Sequence, residues 1–364
     1  MEKIRLIKFA INQLVEHYLQ EVSLYTDLNL CKPSHVIVAI TTLCNLKCKQ
    51  CNFWRYKSIK GLSTMEWKKI LIDLKDWLGS FYLSFTGGEP LLRKDIIELI
   101  EFASKLGLVT SLSTNGTLIN KEVADKLIHS GLNRLAISLD GMNARTHDFL
   151  RGRGTFKKVI SNIEHLTKNN KDLKIGIQTI LWDKNLDEVI DLIKWEKNKG
   201  LIGLFLPLLD LFLFMDSRFL SSGKYYGGSG YKKNKFWPKD TSKVEEVIDN
   251  IILMKKRGYS ILNSVKQLES MKEYFKDHDK IFQNLNCAAG TRSFFISPMG
   301  DMHLCMYKPP VGNLRKQSAK EIWLSKKAAD SRKQIKKCKR SCILTTCNFN
   351  WGLKTKIHMF RKII

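Results

Sequence analysis

The 364-residue sequence has no run of 18 apolar residues. Its longest apolar stretch, Leu201 to Met215, is interrupted by Gly203, Pro207 and Asp210, which leaves no segment dry and long enough for a transmembrane helix. The start, Met1-Glu2-Lys3-Ile4-Arg5, is charged and lacks both an uninterrupted apolar region and a small-residue cleavage site, so no signal peptide is expected. Acidic residues are scarce: 35 Asp and Glu stand against 61 Lys and Arg, a net charge of +26. A field of that sign draws in anionic partners such as nucleic acid, an acidic peptide, a phosphorylated small molecule or a lipid surface. No nucleic-acid-binding module accompanies the charge, which ranks nucleic acid behind a peptide or small-molecule substrate; a lysine-rich solubilising surface is the plain alternative. A disulfide framework is also missing. Nine cysteines in a chain this long, grouped at metal-ligand spacings, fit a reducing cytosol, and a cytoplasmic location is expected.

What is present is ample core material arranged periodically. Hydrophobic residues make up 44% of the chain, enough for a sizeable core, and the length fits two domains or one barrel with an appendage. Residues 2 to 24 place Ile4, Ile7, Ile11, Leu14, Val15 and Tyr18 at helical spacing; this N-terminal segment, 1–34, is expected to pack on the outside of the rest of the chain. Strand patterns fall at 35–41, 81–85, 108–113, 133–139, 173–181 and 202–208, with helical patterns between them at 64–78, 93–106, 120–129, 155–169 and 185–198. Such alternation predicts an α/β fold with a parallel sheet over 35–208. Ser63-Thr64-Met65-Glu66 reads as a helix start, and Gly107 and Gly131 as helix stops. Asp210 to Lys239 breaks the pattern with an aromatic-rich loop that suits a substrate lid. Helical patterns at 242–257 and 264–276 complete a linking region, 209–285, ahead of a cysteine-rich unit at 286–350. The basic, apolar end, 351–364, is expected to pack back on the body, with weak membrane contact as the alternative.

Three cysteines, Cys44, Cys48 and Cys51, occupy eight residues directly after the first strand pattern. No further Cys or His follows within ten residues, so the trio is one short of the four ligands that close a zinc site or a ferredoxin cluster. The loop lies past the carboxyl end of a strand, where α/β folds bind ligands. This C-x3-C-x2-C motif resembles that of the radical S-adenosylmethionine (SAM) enzymes. The resemblance implies a partial (β/α)6 barrel and a [4Fe-4S] cluster whose open iron is chelated by SAM. It further implies one-electron cleavage of SAM to a 5′-deoxyadenosyl radical that abstracts hydrogen from a substrate, with the electron supplied by a flavodoxin- or ferredoxin-type protein. Gln50 stands where the family commonly has an aromatic residue; Phe53 and Trp54 follow closely and are candidates to cover the adenine.

Motifs at the other strand ends match the same family. Gly87-Gly88-Glu89-Pro90 follows the second strand, and its glycines permit close backbone approach; the resemblance implies binding of the SAM amino group. Ser113, Asn115 and Ser138 close the third and fourth strands and become candidates for the cofactor's ribose or carboxylate, with helix capping as the alternative for the hydroxyls. Arg151, in His147-Asp148-Phe149-Leu150-Arg151-Gly152, is a candidate partner for that carboxylate.

In the tail, Cys287 and Cys305 flank a hairpin pattern with its turn, including Gly300, at Pro298 to Asp301, and Cys338, Cys342 and Cys347 follow. The arrangement resembles the twitch and SPASM domains, which implies one auxiliary [4Fe-4S] cluster held by Cys287, Cys305 and two of the last three; a four-thiolate zinc site is the alternative. Cys31 stands alone and reads as a buried small hydrophobe. The sequence as a whole is read as a radical SAM enzyme for peptide modification or two-electron oxidation. RNA modification and a non-catalytic iron-sulfur or zinc protein are the alternatives. No catalytic acid or base is assigned.

Overall fold

The computed structural model describes residues 15–16, 18–26, 31–51, 53–55, 61–170, 172–209, 235–277, 286–338, 341–345 and 348–349. Most of the expected N-terminal helix, the aromatic-rich loop up to residue 234, Cys347 and the basic end lie outside them; residues 18–25 are helical. None of the described helices is long and apolar enough to cross a membrane.

Six strands and their crossover helices follow the expected alternation. The strands are β1 (His35–Thr41), β2 (Tyr82–Gly87), β3 (Val109–Thr114), β4 (Arg134–Ser138), β5 (Lys174–Leu181) and β6 (Ile202–Pro207). The helices are α1 (Thr64–Leu78), α2 (Ile96–Lys105), α3 (Lys121–His129), α4 (Ala144–Arg151), α5 (Thr155–Asn169) and α6 (Val189–Asn198). A capping box between Ser63 and Glu66 starts α1, and Gly107 and Gly131 take positive φ just past α2 and α3, a conformation with no Cβ penalty for glycine. The sequence reading omits α4, a helix of eight residues capped by Asn143, because His147, Asp148 and Arg151 weaken its apolar period. It also begins α2 at residue 93, three residues before Ile96; residues 93–95 instead form the turn that follows the 3-10 turn Pro90–Leu92.

Each strand alternates between two environments. Val36, Val38, Leu83, Phe85, Leu112, Leu135, Ile137 and Ile177 are almost wholly buried in the main core. On the other face Ile37, Ser84, Ser113, Ser138 and Gln178 are half-buried, while Ala39, Ser111, Arg134 and Ala136 are buried. A closed barrel would fill that inner face with side chains throughout; here the sheet order stays open, ending at β6 and β9, and the filling is partial.

The sheet order is β6-β5-β4-β3-β2-β1-β7-β8-β9. All pairs from β6 to β1 are parallel, and β1 also pairs in parallel with β7 (Ser293–Ile296). Beyond it, β8 (Asp301–His303) and β9 (Gly312–Asn313) run antiparallel. The expected hairpin therefore forms, with Ser297 N–H donating to the Asp301 carbonyl across its turn, and it extends the barrel sheet. At the opposite edge, the buried Asn263 carboxamide accepts from Phe205 N–H and donates to the Phe205 carbonyl, so a side chain satisfies part of a strand edge that would otherwise be left unpaired. Helices α7 (Thr241–Lys256) and α8 (Val265–Lys276) lie where the sequence predicts them, followed by α9 (Ala319–Leu324) and α10 (Lys326–Lys336).

One buried group works against stability. Glu196 on α6 is 2% exposed, its Oε1 has no hydrogen-bond partner, and Gly203 leaves room for it, since a Cβ there would sit 2.5 Å from Oε2. Burial raises its pKa well above the ordinary carboxylate value. The folded state thus binds a proton that the unfolded state releases above pH about 4.3, so this group's contribution to stability falls as pH rises through that window. Glu196→Gln is expected to raise the melting temperature by a few degrees at pH 7.5. The gain should shrink toward zero as the pH approaches 4.5 in a thermal melt series; a pH-independent difference would contradict the assignment.

Candidate functional site

β1 leaves the sheet through a bend, its pairing with β2 slipping between Ala39 and Thr41, and enters the loop carrying Cys44, Cys48 and Cys51. Backbone bonds tie that loop to its surroundings. Gly88 N–H donates to the Thr41 carbonyl at 2.9 Å, Glu89 N–H to the Leu43 carbonyl at 2.7 Å and Lys49 N–H to the Leu150 carbonyl at 2.8 Å. The close approach permitted by Gly87 and Gly88 is thus made by the chain itself. A Cβ at Gly87, where φ is +130°, would lie 2.4 Å from the Thr41 carbonyl oxygen, and one at Gly88 only 2.1 Å from that of Leu43.

The three thiols occupy one half-buried loop, and Cys48 is 7% exposed. Burial raises all three thiol pKa values, that of Cys48 to about 11, and Arg151 opposes the rise at Cys48 and Cys51. Phe53 N–H donates to Cys51 Sγ at 3.4 Å and the Leu46 backbone N–H bonds Cys44. Such donors favour thiolate and, in iron-sulfur proteins, tune the potential. Three thiols are one fewer than a closed mononuclear zinc site takes, whereas a cubane takes its thiolates at separate corners and can leave one iron open. The donor set therefore fits a cluster better than a mononuclear site.

Glu89 and Asp140 organise the surrounding loops. Glu89 is fully buried. Burial raises its pKa, and three donors resist the rise: Thr114 Oγ1 at 2.8 Å, Asn115 N–H at 2.8 Å and Leu91 N–H at 3.1 Å. Pro90 follows as the first residue of the 3-10 turn. Asn115 donates to Asn45 Oδ1, Asn45 to Thr117 Oγ1, and Thr117 back to Asn115 Oδ1, at 2.9, 2.9 and 2.6 Å. This ring joins the cysteine loop to the end of β3. Arg151 is placed by the sequence opposite a cofactor carboxylate, but its Nε donates to Asp140 Oδ2 at 2.6 Å, with Asp140 wholly buried. Burial acts against the Arg151 charge, but Asp140, Cys48 and Cys51 outweigh it and hold the guanidinium above its ordinary pKa. Asp140 also accepts from Ile180 N–H at 3.0 Å and, more weakly, from Gln50 Nε2 at 3.5 Å. Gln50 Oε1 is buried and has no partner.

Ser113 and Ser138 lie on the inner cleft face, half-buried. Trp54 turns back on the loop, its indole N–H donating to the Cys48 carbonyl at 3.3 Å. Sequence reasoning missed Asp140, Asn45 and Thr117. Asp140 carried one signal, an acidic residue two places beyond a strand end; the other two carried none, because their role depends on two loops meeting.

The tail brings its cysteine segments together. Ala288 N–H donates to the Asn348 carbonyl at 2.9 Å, and Asn348 Nδ2 donates to the Cys342 carbonyl at 3.1 Å. Gly290 is the meeting point of three segments, since a Cβ there would lie 3.2 Å from Leu304 and 3.1 Å from Ile335. These contacts bring the neighbourhoods of Cys287, Cys305 and Cys338 side by side. Tyr307 N–H donates to Cys305 Sγ at 3.4 Å, repeating the donor pattern of the front loop. Cys342 is buried and Cys338 half-buried. Cys31 is buried as expected, against the Thr291 carbonyl.

A cysteine loop, a Gly-Gly-Glu-Pro turn and an open parallel barrel define a class, and the comparisons agree with it. Residues 38–195 match the radical SAM superfamily and residues 287–348 the SPASM iron-sulfur cluster-binding domain. The AdoMet-dependent heme synthase of Methanosarcina barkeri is 31% identical over 294 residues, covering 80% of this chain and 82% of that protein. The PqqA peptide cyclase of Bradyrhizobium diazoefficiens is 32% identical over 164 residues, 44% of this chain and 43% of that one. The fold resembles anSMEcpe with bound AdoMet and Cp18Cys peptide, with a TM-score of 0.62 at 22% identity over 87% of this chain and 88% of that chain. The chain belongs to the radical SAM superfamily and carries a C-terminal SPASM domain. It is an enzyme family whose cofactors are a [4Fe-4S] cluster, SAM and an auxiliary iron-sulfur cluster.

Proposed function

We propose that this protein oxidises a peptide substrate by two electrons after radical hydrogen abstraction. In this reading Cys44, Cys48 and Cys51 hold the cluster. Gly87 to Pro90, Ser113, Asn115, Ser138 and Arg151 shape the SAM site. Cys287 and Cys305, with two of Cys338, Cys342 and Cys347, hold the auxiliary cluster. Bound together, the front cluster and SAM supply one-electron cleavage of the sulfonium and a hydrogen-abstracting radical. The chain's own residues set the geometry. The Asn45–Asn115–Thr117 ring and the Glu89 contacts fix the loop against β2 and β3, Arg151 directs positive charge at the thiolates, and the half-buried inner face receives the substrate. A flavodoxin- or ferredoxin-type reductant in the cytosol supplies the electron.

The observation that carries this reading is the bonding of three strand-end loops into one unit at the mouth of an open cleft. A second reading, oxidation of a tetrapyrrole side chain, is favoured by the heme synthase likeness, which spans four-fifths of both chains. The test is anaerobic reconstitution, reduction and addition of SAM with either a peptide encoded beside the gene or an iron tetrapyrrole. The reading expects 5′-deoxyadenosine and a substrate lighter by about two mass units in the peptide arm. Cys48→Ala should abolish 5′-deoxyadenosine and lower iron from about eight to about four atoms per chain. Wild-type protein that makes no 5′-deoxyadenosine with any substrate would overturn the reading.

A further inference from the structure

Arg134 opens β4 and is 7% exposed. It pairs in register with Ser111 of β3 and Lys174 of β5, on the face opposite the core residues Leu135 and Ile137 and hence on the inner wall of the cleft. Its guanidinium lies across β5 at Gly176, where a Cβ would sit 3.1 Å from Nη2 and 3.4 Å from Nε. Gly176 thus makes room for the guanidinium. Neither Nε nor Nη2 has a hydrogen-bond partner. Half-buried arginines elsewhere are paired: Arg93 with Asp95, Arg151 with Asp140, and Arg332 donates to the carbonyls of Gly290 and Trp323.

Among the described residues no acceptor bonds either atom, and β1 to β7 contain no Asp or Glu. Of the neighbouring inner residues, Lys174 is an exposed second cation and the others are polar and neutral. Ser111 Oγ donates to Ser84 Oγ at 2.9 Å, and His35 Nε2 lies 2.8 Å from the same oxygen; burial, and then Arg292, lower the His35 pKa to about 3. A buried guanidinium without a counter-charge is unfavourable unless something else provides one. On the inner face of the sheet, that role falls to a ligand.

We infer that Arg134 forms an anion subsite at the cleft floor that binds a carboxylate of the substrate. The planar fork of donors suits a carboxylate bidentately, and the exposed Lys174, in register on β5, adds a second positive charge that favours an anion there. The position also sets a length. From Arg134 to Ser138 at the mouth is four residues, about 13 Å at roughly 3.3 Å per residue. A substrate held at the floor and reacting at the mouth must span that distance, which excludes an alcohol of a few carbons. An extended peptide of about four residues spans it, as does a tetrapyrrole carrying propionates. This inference deepens the proposed function and rests on it for the position of the reacting end.

The test measures binding without SAM, so turnover plays no part and failure of the radical chemistry would be seen separately. Cluster-loaded full-length protein is titrated with acetyl-tetra-alanine as free acid and as amide, and with heme and its dimethyl ester. Wild type is expected to bind the acid form of one or both pairs at least about tenfold more tightly than the neutral form, as charge-assisted pairing predicts. Preference within the peptide pair alone points to a peptide carboxylate, and within the heme pair alone to a propionate. In Arg134→Met the ratio should fall to about one, and Arg134→Lys should retain part of it. Without ligand, Arg134→Met should melt at or above the wild-type temperature, because it removes an uncompensated charge, and should keep wild-type SAM affinity. The inference is overturned by a wild-type ratio near one in both pairs, by an unchanged ratio in Arg134→Met, or by a lower melting temperature of that ligand-free variant, which would make Arg134 a structural strut.

Discussion

Asp140→Asn should destabilise the protein by about 3–5 kcal/mol, the cost of leaving one member of a buried ion pair uncompensated. Against a total stability of roughly 5–15 kcal/mol for a folded domain, this is the largest single effect expected of any substitution at the site. The asparagine retains an oxygen for Ile180 N–H, which Asp140 Oδ1 bonds at 3.0 Å, so the loss falls on Oδ2, which Arg151 Nε bonds at 2.6 Å and Gln50 Nε2 only at 3.5 Å. That contact lies beneath the cysteine loop. The variant should therefore lose iron from the front cluster as well as melting early. Adding Arg151→Met should recover much of the stability, since a buried pair replaced by neutral groups costs far less than a broken one. It should not recover 5′-deoxyadenosine formation, because the positive charge that opposes the raised thiol pKa values is gone. A single variant that melts within a degree of wild type would show that Arg151 does not depend on Asp140.

The second large effect is expected from Gly88→Ala. The added carbon would lie 2.1 Å from the Leu43 carbonyl oxygen and 2.8 Å from that of Thr42, and both obstacles are backbone, so no rotamer change relieves them. The cysteine loop must move, and the 2.9 Å and 2.7 Å bonds from Gly88 and Glu89 to Thr41 and Leu43 must stretch or break. Overpacking of this kind costs about 1–3 kcal/mol or more. The functional loss should exceed the loss of stability, because the displaced segment carries Cys44. SAM cleavage should fall at least about a hundredfold, the scale of misplacing reacting groups by about 1 Å, while the tail retains its iron. Gly200→Ala is the control. Its φ is also positive, +68°, but nothing lies within 4 Å of the new Cβ, so it should cost only about 1–2 kcal/mol and leave cleavage intact. Equal activity losses in the two variants would remove the steric explanation.

The elements were largely legible because each is written in a local period. Ser63 and Glu66 mark the start of α1 three residues apart, and the positive-φ glycines at 107 and 131 mark stops at single positions. Helix α4 was not legible. Its polar residues serve the site: His147 accepts from Asp140 N–H and Asp148 accepts from the backbone N–H groups of Gly154 and Phe156. Sequence periodicity sees only the missing apolar residues.

Within the site, spacing could group Cys44, Cys48 and Cys51 because they share one loop, and could place Ser113, Asn115 and Ser138 at strand ends. It could not show that the side chain of Asn115 is taken up by Asn45 and Thr117 or that Arg151 is held by Asp140. Those pairings link residues up to 70 positions apart.

The sequence by itself determined the strand and helix alternation, the open-ended cysteine trio and the turn chemistry around it, because short-range sterics and spacing suffice for these. Only the tertiary structure decided that β7 joins β1, that the inner sheet face is only partly filled, and that Arg134 lies on it with Nε and Nη2 unbonded among the described residues. Sheet order and charge pairing depend on which distant strands pack together, and no local period encodes that.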